Sequence, residues 1–428
     1  MNEIVKKFGG TSVNNIQILK DIIRCNDVIV VSAPGKRSVY DEKVTDLLDH
    51  IYQGLHAQKY INNYWDIVKD RFRDLVVASK VDINLTPYFE EIESHFSPNI
   101  DRDFLLSRGE YLTAVIFSRV FGMKFVDAND CIKFKNGILD VDSSIPLIKK
   151  MVVANTVVPG FYGKENDKIK LFGRGGSDVT GTLIASALQS PEYQNFTDED
   201  GVKMALPNLC NNSRKLEKIS FDNMYEFSKS GANILHPNAV KIAKQNNIPI
   251  KVTSVYAPYK YSTTIAQEDE LRYVKAMGVR ENAVRFVISP KVFANNFAEV
   301  INFLKENGIT FQETIYRNGE LEVFGCADQD FDKEQFPRIE KLFSKKFDTN
   351  VSIKPTSEII LIIGGHKDKF QISKMLRHFL QTYGFDVEVV DNNQGMALVV
   401  EPYNLKFLYK TIYQEFVDTF VNYKPLNN

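Results

Sequence analysis

Apolar and polar positions follow a strand-then-helix rhythm over the first third of the chain. Residues 3–8 read as a short strand, residues 16–23 carry apolar side chains at helical spacing, and residues 27–33 form a β-branched run, which together predict a βαβ opening. Between residues 47 and 96 the pattern turns helical, rich in tyrosine, charge and the single tryptophan, Trp65, with no clear strand. A helical lobe laid over a sheet edge is the expected arrangement. Strand signals return at residues 124–127, 151–159 and 168–172, and the α/β alternation runs to about residue 265.

A charged segment, residues 267–272, marks a change of grammar, and from residue 283 the chain states one pattern twice. Residues 285–290 predict a strand, and Phe297, Val300, Ile301 and Leu304 a helix face. Gly308 ends that helix, and residues 309–325 form two strands around Asn318 and Gly319. In the second copy residues 358–363 are the strand, and Ile372, Met375, Leu376, Phe379, Leu380 and Tyr383 the helix stripe. Gly384 is the stop, and residues 385–402 are a hairpin around Gly395. Phe303, Leu304, Gly308 and Val323 map onto Phe379, Leu380, Gly384 and Val399 at one offset, 384 minus 308, or 76. This tandem β-α-β-β-α pattern resembles a pair of ACT domains, small ferredoxin-like modules that bind amino acids at paired interfaces. A structural α+β repeat without a ligand accounts for the pattern as well. The run 274–279 is placed to add a strand to the second copy.

A length of 428 residues suggests two to four domains, and 44% hydrophobic with 25% charged residues is ordinary for a soluble globular chain. Lys plus Arg at 53 nearly cancels Asp plus Glu at 54, so no overall field recruits nucleic acid or an anionic membrane. Cys25, Cys131, Cys210 and Cys326 lie far apart without a CxxC, which argues against a disulfide framework or zinc knuckle and for small core residues. The first apolar run is broken at once by Lys6 and Lys7, and no stretch reaches the roughly 20 apolar residues of a membrane span. A cytoplasmic protein is expected.

Four segments carry candidate chemistry. In KKFGGTS a strand delivers Lys7 and turns through Gly9 and Gly10 into a helix beginning near Ser12. Glycines permit positive φ and close backbone approach, so successive N–H groups there can cradle a phosphate. The segment is neither a GxxxxGK[ST] loop nor a GxGxxG fingerprint, and a glycine turn between strand and helix is also common structural punctuation. FGRGGSDVTGTL, residues 172–183, repeats the logic, with Arg174 before Gly175 and Gly176 and with Ser177, Asp178 and Thr180 after them. Arginine offers a planar fork for a carboxylate and Asp can hold an ammonium or steer a lysine; a plain helix cap is the structural alternative. In LLSRGEYLTA, residues 105–114, Gly109 and Glu110 precede an apolar helical run. Glu110 there either neutralises a substrate ammonium or favours a first helical turn. VVSAPGKRS followed by VTDLL sets Ser32 at a strand end and Thr45 at a helix start, where an N-cap is the plain reading. His236 and His366 each lack a second metal ligand at helical spacing.

These segments, in this order, resemble the amino-acid kinase superfamily and, within it, the aspartate kinases (aspartokinases), over the whole chain. The resemblance implies an α/β three-layer sandwich with a mostly parallel, eight-stranded-type sheet over residues 1–265. Two ferredoxin-like ACT α+β domains would follow at residues 272–355 and 356–428. It implies transfer of the γ-phosphoryl group of ATP, with Mg²⁺ arriving on the nucleotide, to the side chain of L-aspartate, giving 4-phospho-L-aspartate for lysine, threonine, methionine and diaminopimelate synthesis. Lys7 and Asp178 would be catalytic. Ser32, Thr45, Glu110, Arg174, Gly175, Gly176 and Ser177 would hold aspartate, with Arg174 on the α-carboxylate and Glu110 near the amino group. Lys7, Phe8, Gly9, Gly10, Ser12, Thr197, Asp198, Lys203 and Pro207 would surround ATP. The family's WTDxxG and (T/M)-A-D-P segments become FTDEDGVKMALP here, with Phe196 for Trp and Leu206 for Asp, and GAKVLHP becomes GANILHP with Asn233 for Lys. The ACT turns differ too, so no particular amino-acid effector is implied, though an effector site and a homodimer or higher homo-oligomer are. Two other readings remain at this point: a kinase of another amino acid, and a catalytically weak paralogue serving as an amino-acid sensor.

Overall fold

The computed structural model describes residues 3–38, 40–59, 61–173, 175–258, 260–269, 274–317, 320–327, 333–363, 366–392 and 395–421. It divides into two compact units, one of Met1–Val202, Lys215–Ser228 and Asn233–Glu270, the other of Lys203–Arg214, Lys229–Ala232 and Leu271–Asn428.

The first unit opens with strand β1 (Val5–Phe8), the one-turn helices α1 (Gly10–Val13) and α2 (Ile16–Leu19), and strand β2 (Val28–Val31). β2 is buried at every position, which is why it reads as an unbroken β-branched run rather than an alternation. The helical lobe follows as α3 (Val44–His56), α4 (Asn62–Ser79), α5 (Thr86–Glu93) and α6 (Arg102–Phe121). Trp65 fixes it, meeting Phe89 and Phe96 edge-on at 5.9 and 5.3 Å, in one core with Leu47, Phe72, Phe8 and Val31. Full burial of each such side chain contributes roughly 1.5–3 kcal/mol.

The chain continues through β3 (Lys124–Phe125), α7 (Ala128–Cys131), β4 (Lys133–Lys135), β5 (Ile138–Asp140), α8 (Val141–Met151), β6 (Thr156–Pro159), β7 (Tyr162–Glu165) and β8 (Lys168–Leu171). It then forms α9 (Gly176–Leu188), β9 (Tyr193–Thr197), β10 (Lys218–Ser220), α10 (Phe221–Lys229), α11 (Pro237–Asn246), β11 (Ile250–Ser254) and β12 (Ser262–Ala266). Eight strands make one sheet in the order β10-β12-β11-β9-β1-β2-β6-β3, parallel throughout the described residues except at β11–β12. Alternation along β1 defines the layers: Phe8 joins the lobe core, whereas Lys7, on the opposite face, meets α9. Helices thus cover both faces. Of a separate four-stranded sheet, β5-β4-β7-β8, the sequence reading held only β8, in the signal at residues 168–172.

In the second unit six strands form one sheet, in chain order β13 (Val274–Ile288), β14 (Ile309–Arg317), β15 (Glu320–Ala327), β16 (Ser352–Ile363), β17 (Glu388–Asn392) and β18 (Gly395–Val400). β13 is one long strand whose first half pairs with Glu358–Ile363 and whose second half pairs with Ser352–Thr356, across a register shift between Arg280 and Ala283. Both copies of the repeat therefore share a sheet. Gly308 and Gly384, at φ of +71° and +70°, end the helices Phe297–Glu306 and His366–Thr382 in the left-handed conformation that glycine adopts without penalty. Val300, Phe303 and Leu304 are buried as expected, while Phe297, Met375 and Tyr383 at the margins of the two stripes are exposed. Asn318 and Gly319 lie outside the described residues. Cys131 and Cys210 are core residues; Cys25 is exposed in the turn before β2 and corrects the expectation of burial.

Candidate active site

The carboxyl ends of β1, β2, β6 and β9 bring the first, second and fourth sequence segments together, as open parallel sheets do. β1 carries two adjacent lysines with opposite fates. Lys6 Nζ lies 2.7 Å from Asp27 Oδ2 and 2.9 Å from the carbonyl oxygen of Ile22, a buried structural pair. Lys7 Nζ lies 2.7 Å from Asp178 Oδ1, with both side chains close to nine-tenths buried. The other oxygen of Asp178 accepts the backbone N–H of His236 at 3.2 Å, so the carboxylate is held from two sides.

Close approach, rather than positive φ, is what the opening glycines supply. Gly9 is extended, at φ −69°, and its N–H donates to the carbonyl of Phe196, which also accepts Ser12 Oγ, both at 3.2 Å. Phe196 stacks on Phe8 with ring centroids 5.0 Å apart. The helix begins at Gly10, slightly earlier than Ser12. A Cβ on Gly10 would stand 2.8 Å from the carbonyl oxygen of Ala33 and 2.9 Å from the nitrogen of Gly35, backbone atoms that cannot swing aside. Gly10→Ala is therefore expected to cost about 1–3 kcal/mol in urea unfolding. Gly9→Ala, whose nearest neighbours lie at 3.6 Å, should leave stability close to wild type. Equal losses in the two variants would remove this packing account.

The second glycine pair does use positive φ. Gly175 sits at φ +71° as the N-cap of α9, and a Cβ there would meet the His236 side chain at 2.8 Å. Ser177 and Asp178 are buried in the first turn of α9, with Ser177 against Gly160 at the end of β6. Arg174 lies outside the described residues.

Glu110 departs from the expected local setting. Instead of preceding a helix, Gly109 and Glu110 lie in the middle of α6, which Asp101 caps by accepting the N–H groups of Asp103 and Phe104. Glycine is needed there because a Cβ would stand 2.7 Å from Cβ of Ala33. Glu110 is buried and accepts the N–H of Ala33, while its Oε2 has no partner. Burial pushes its carboxyl up to about 8, against the opposing pull of the Ala33 N–H and the Lys7 charge. A buried carboxyl with one idle oxygen beside a lysine is suited to an incoming ammonium.

Ser32 follows β2, and its N–H donates to the carbonyl of Phe8. Thr45 is the second residue of α3, whose N-cap is Lys43, so Thr45 is not the cap. Thr197 ends β9, and its Oγ1 donates to Asp198 at 3.0 Å. Lys203 and Pro207 belong to the second unit, as does Leu206, which is buried and donates its N–H to the Tyr409 hydroxyl at 2.8 Å. Asn233 is exposed. His236, the cap of α11, accepts the N–H of Asn238 at Nδ1, and burial keeps its imidazole below the ordinary value against the pull of Asp178. Its backbone contact with Asp178 was not legible in sequence, since main-chain donors leave no residue signature.

Fixed positive charge, an anion-tolerant glycine backbone and a carboxyl awaiting an ammonium suit the joining of two anions, and place the chain among the α/β phosphotransferases. It belongs to the amino acid kinase family, whose model matches residues 2–254. The aspartokinase of Rickettsia felis is 28% identical over 341 residues, 74% of this chain and 75% of that protein. The crystal structure of an aspartate kinase from Clostridium acetobutylicum, described as an important allosteric enzyme, shares 26% identity. It superposes with a TM-score of 0.81 over 96% of this chain and 100% of that one. Escherichia coli aspartokinase III, in complex with aspartate and ADP, reaches a TM-score of 0.82 over 97% of this chain and 100% of that one. At 18% identity, it is a likeness of fold.

Proposed function

We propose that this protein is an aspartate kinase, transferring the γ-phosphoryl group of MgATP to the β-carboxylate of L-aspartate. The observation that carries the reading is the convergence of the Lys7–Asp178 pair with the half-partnered Glu110 at the end of β1. In the reaction an oxygen of the β-carboxylate attacks the γ-phosphorus; the new P–O bond forms as the bond to the β,γ-bridging oxygen breaks, and ADP leaves with that electron pair. The nucleophile is already ionised at neutral pH and needs no strong base. Repulsion between the carboxylate and the phosphates is the obstacle, and Lys7 offsets it. Gly9 and Gly10 lie at the phosphates and Thr197 and Asp198 at the nucleotide, with the buried Phe8 and Ser12 supporting that end of β1 from behind; Lys203 and Pro207 are assigned to the nucleotide by the resemblance alone. Ser32, Thr45, Gly175, Gly176 and Ser177 surround aspartate, with Glu110 on its ammonium and Arg174 on its α-carboxylate. Mg²⁺ travels as part of the nucleotide substrate.

Residues 1–265 form the catalytic domain in this reading, and 272–355 with 356–428 form two ACT modules that bind an amino-acid effector and pair copies into a homodimer. The protein acts in the cytoplasm at the entry to the aspartate-derived amino acids. The test is hydroxamate formation with MgATP and hydroxylamine, comparing L-aspartate, L-glutamate and N-acetyl-L-glutamate, with and without lysine and threonine. Signal with aspartate alone is expected. A folded protein silent with all three would leave the amino-acid sensor as the better reading, and preference for another acceptor would reassign the substrate.

A further inference from the structure

Arg71 stands in the middle of α4, in a stretch, KDRFRD, that reads as a solvated helix face. It is buried instead, its side chain 1% exposed. A guanidinium taken out of water is costly unless its donors are met. Among the described residues, every acceptor that meets them lies on one segment, the connection from β2 to α3. Arg71 Nη1 donates to Asp41 Oδ2 at 2.6 Å and to the carbonyl of Glu42 at 3.1 Å, and Nη2 donates to the carbonyl of Gly35. Asp41 is fixed in turn by the backbone N–H of Arg37 at 2.8 Å and its Nε at 3.2 Å. Asn14 Nδ2 joins Arg71 on the Gly35 carbonyl at 3.1 Å.

That connection touches the site at several points. Ser32 precedes it and Thr45 follows it, its Ala33 N–H is the one bonded to Glu110, and its Gly35 N–H donates to the carbonyl of Gly10 at 2.8 Å. The aspartate-side groups of the first unit's lobe face are thus carried by, or bonded to, the segment that Arg71 grips. On the nucleotide side, among the described residues, Gly10 bonds Gly35 and the Phe8 carbonyl accepts the Ser32 N–H at 3.1 Å, while Gly9 and Ser12 are tied to the carbonyl of Phe196.

We propose that Arg71 is a positioning residue for the acceptor amino acid: it clamps the β2–α3 connection so that Ser32, Thr45 and the Ala33-bound Glu110 are preorganised for aspartate. The inference rests on the proposed kinase activity. An arginine that only anchored the lobe would, when removed, lower the folded fraction and leave both KM values alone. Positioning predicts a split. Arg71→Met is expected to raise KM for aspartate at least tenfold while KM for MgATP stays within about twofold. Arg71→Lys keeps the charge beside Asp41 but cannot fork across three acceptors, so an intermediate rise is expected; it also serves as the working variant if Arg71→Met does not fold. Guanidinium added at sub-denaturing concentration to Arg71→Ala should bring KM for aspartate back toward wild type. Unchanged KM for aspartate in folded Arg71→Met or Arg71→Lys, or parallel rises in both KM values, would overturn the proposal. Wild type runs in the same assay: its silence with aspartate overturns the kinase reading and the positioning role with it, whereas an active wild type with an unaltered variant overturns the positioning role alone.

Discussion

Lys7→Met lowers kcat by about three orders of magnitude while the protein stays folded. Methionine keeps the length and bulk of the side chain and removes only the charge. Losing a single preorganised donor at a developing anion typically costs 10²–10³ in rate, and losing a full cation at a transferring phosphoryl group about 10³–10⁵. The fold should survive, because Asp178, the partner at 2.7 Å, still accepts the His236 N–H at 3.2 Å. A stability loss of about 1–3 kcal/mol is expected from the half-vacated pair. The neighbouring lysine is the control. Lys6→Met breaks a pair that touches no site residue, Asp27 and the Ile22 carbonyl, and should cost about 3–5 kcal/mol of stability while leaving kcat per folded molecule unchanged. Thermal melts and steady-state hydroxamate kinetics on both variants separate the two outcomes. A Lys7→Met enzyme within tenfold of wild-type kcat, or a Lys6→Met enzyme with an equal kinetic defect, would dissolve the assignment of roles to the two faces of β1.

The legible parts of this molecule are those where one physical rule dominates a short window. β2 announced itself because a strand buried on both faces must be apolar throughout, and Gly308 and Gly384 marked helix ends because the left-handed stop there favours glycine. Resemblance extended the reading to the parallel sheet and to Lys7 and Asp178 as the catalytic candidates, whose side chains lie 2.7 Å apart. What stayed hidden depends on partners distant in sequence. Gly109 looked like a helix boundary, yet it lies inside α6 because Ala33 leaves no space for a Cβ. β4 and β7 are short and lysine-bearing, with no period to betray them. Arg71 gave no signal in the sequence, because the acceptors that bury it lie 29 to 36 residues earlier. Lys203–Arg214 read as part of the α/β region, yet it groups with the second unit. There Tyr409 and Tyr413 accept the N–H groups of Leu206 and Arg214, and Asp418 pairs with the Arg214 guanidinium at 2.6 Å.

Glu110→Gln is expected to weaken aspartate binding at least a hundredfold and, in the ligand-free protein above pH 8, to raise stability. Both effects have one cause. Burial holds the Glu110 carboxyl near 8 rather than 4.5, so without substrate it is mostly protonated at neutral pH. An arriving ammonium needs the carboxylate, so binding must release a proton. KM for aspartate in the wild type should therefore fall about tenfold between pH 7 and pH 9 and then level off, while in Glu110→Gln it should be high and indifferent to pH over that range. Stability moves the other way. A folded-state value above the unfolded one means that the folded protein binds the extra proton between pH 4.5 and about 8; this contribution is complete below 4.5 and is lost as pH rises through 8. The neutral acid and the amide are nearly the same shape, so wild type and variant should melt together near pH 5. They should diverge as pH rises, at about 1.4 kcal/mol per pH unit within the window, toward a ceiling on the order of 4 kcal/mol. Melting curves at pH 5, 7 and 9 with hydroxamate kinetics at pH 7 and 9 read both halves. A wild-type KM for aspartate flat from pH 7 to 9, or a variant that melts below wild type at pH 9, would mean that Glu110 is ionised in the resting protein. Aspartate binding would then release no proton, and only an unchanged KM for aspartate in Glu110→Gln would take the idle Oε2 off the ammonium.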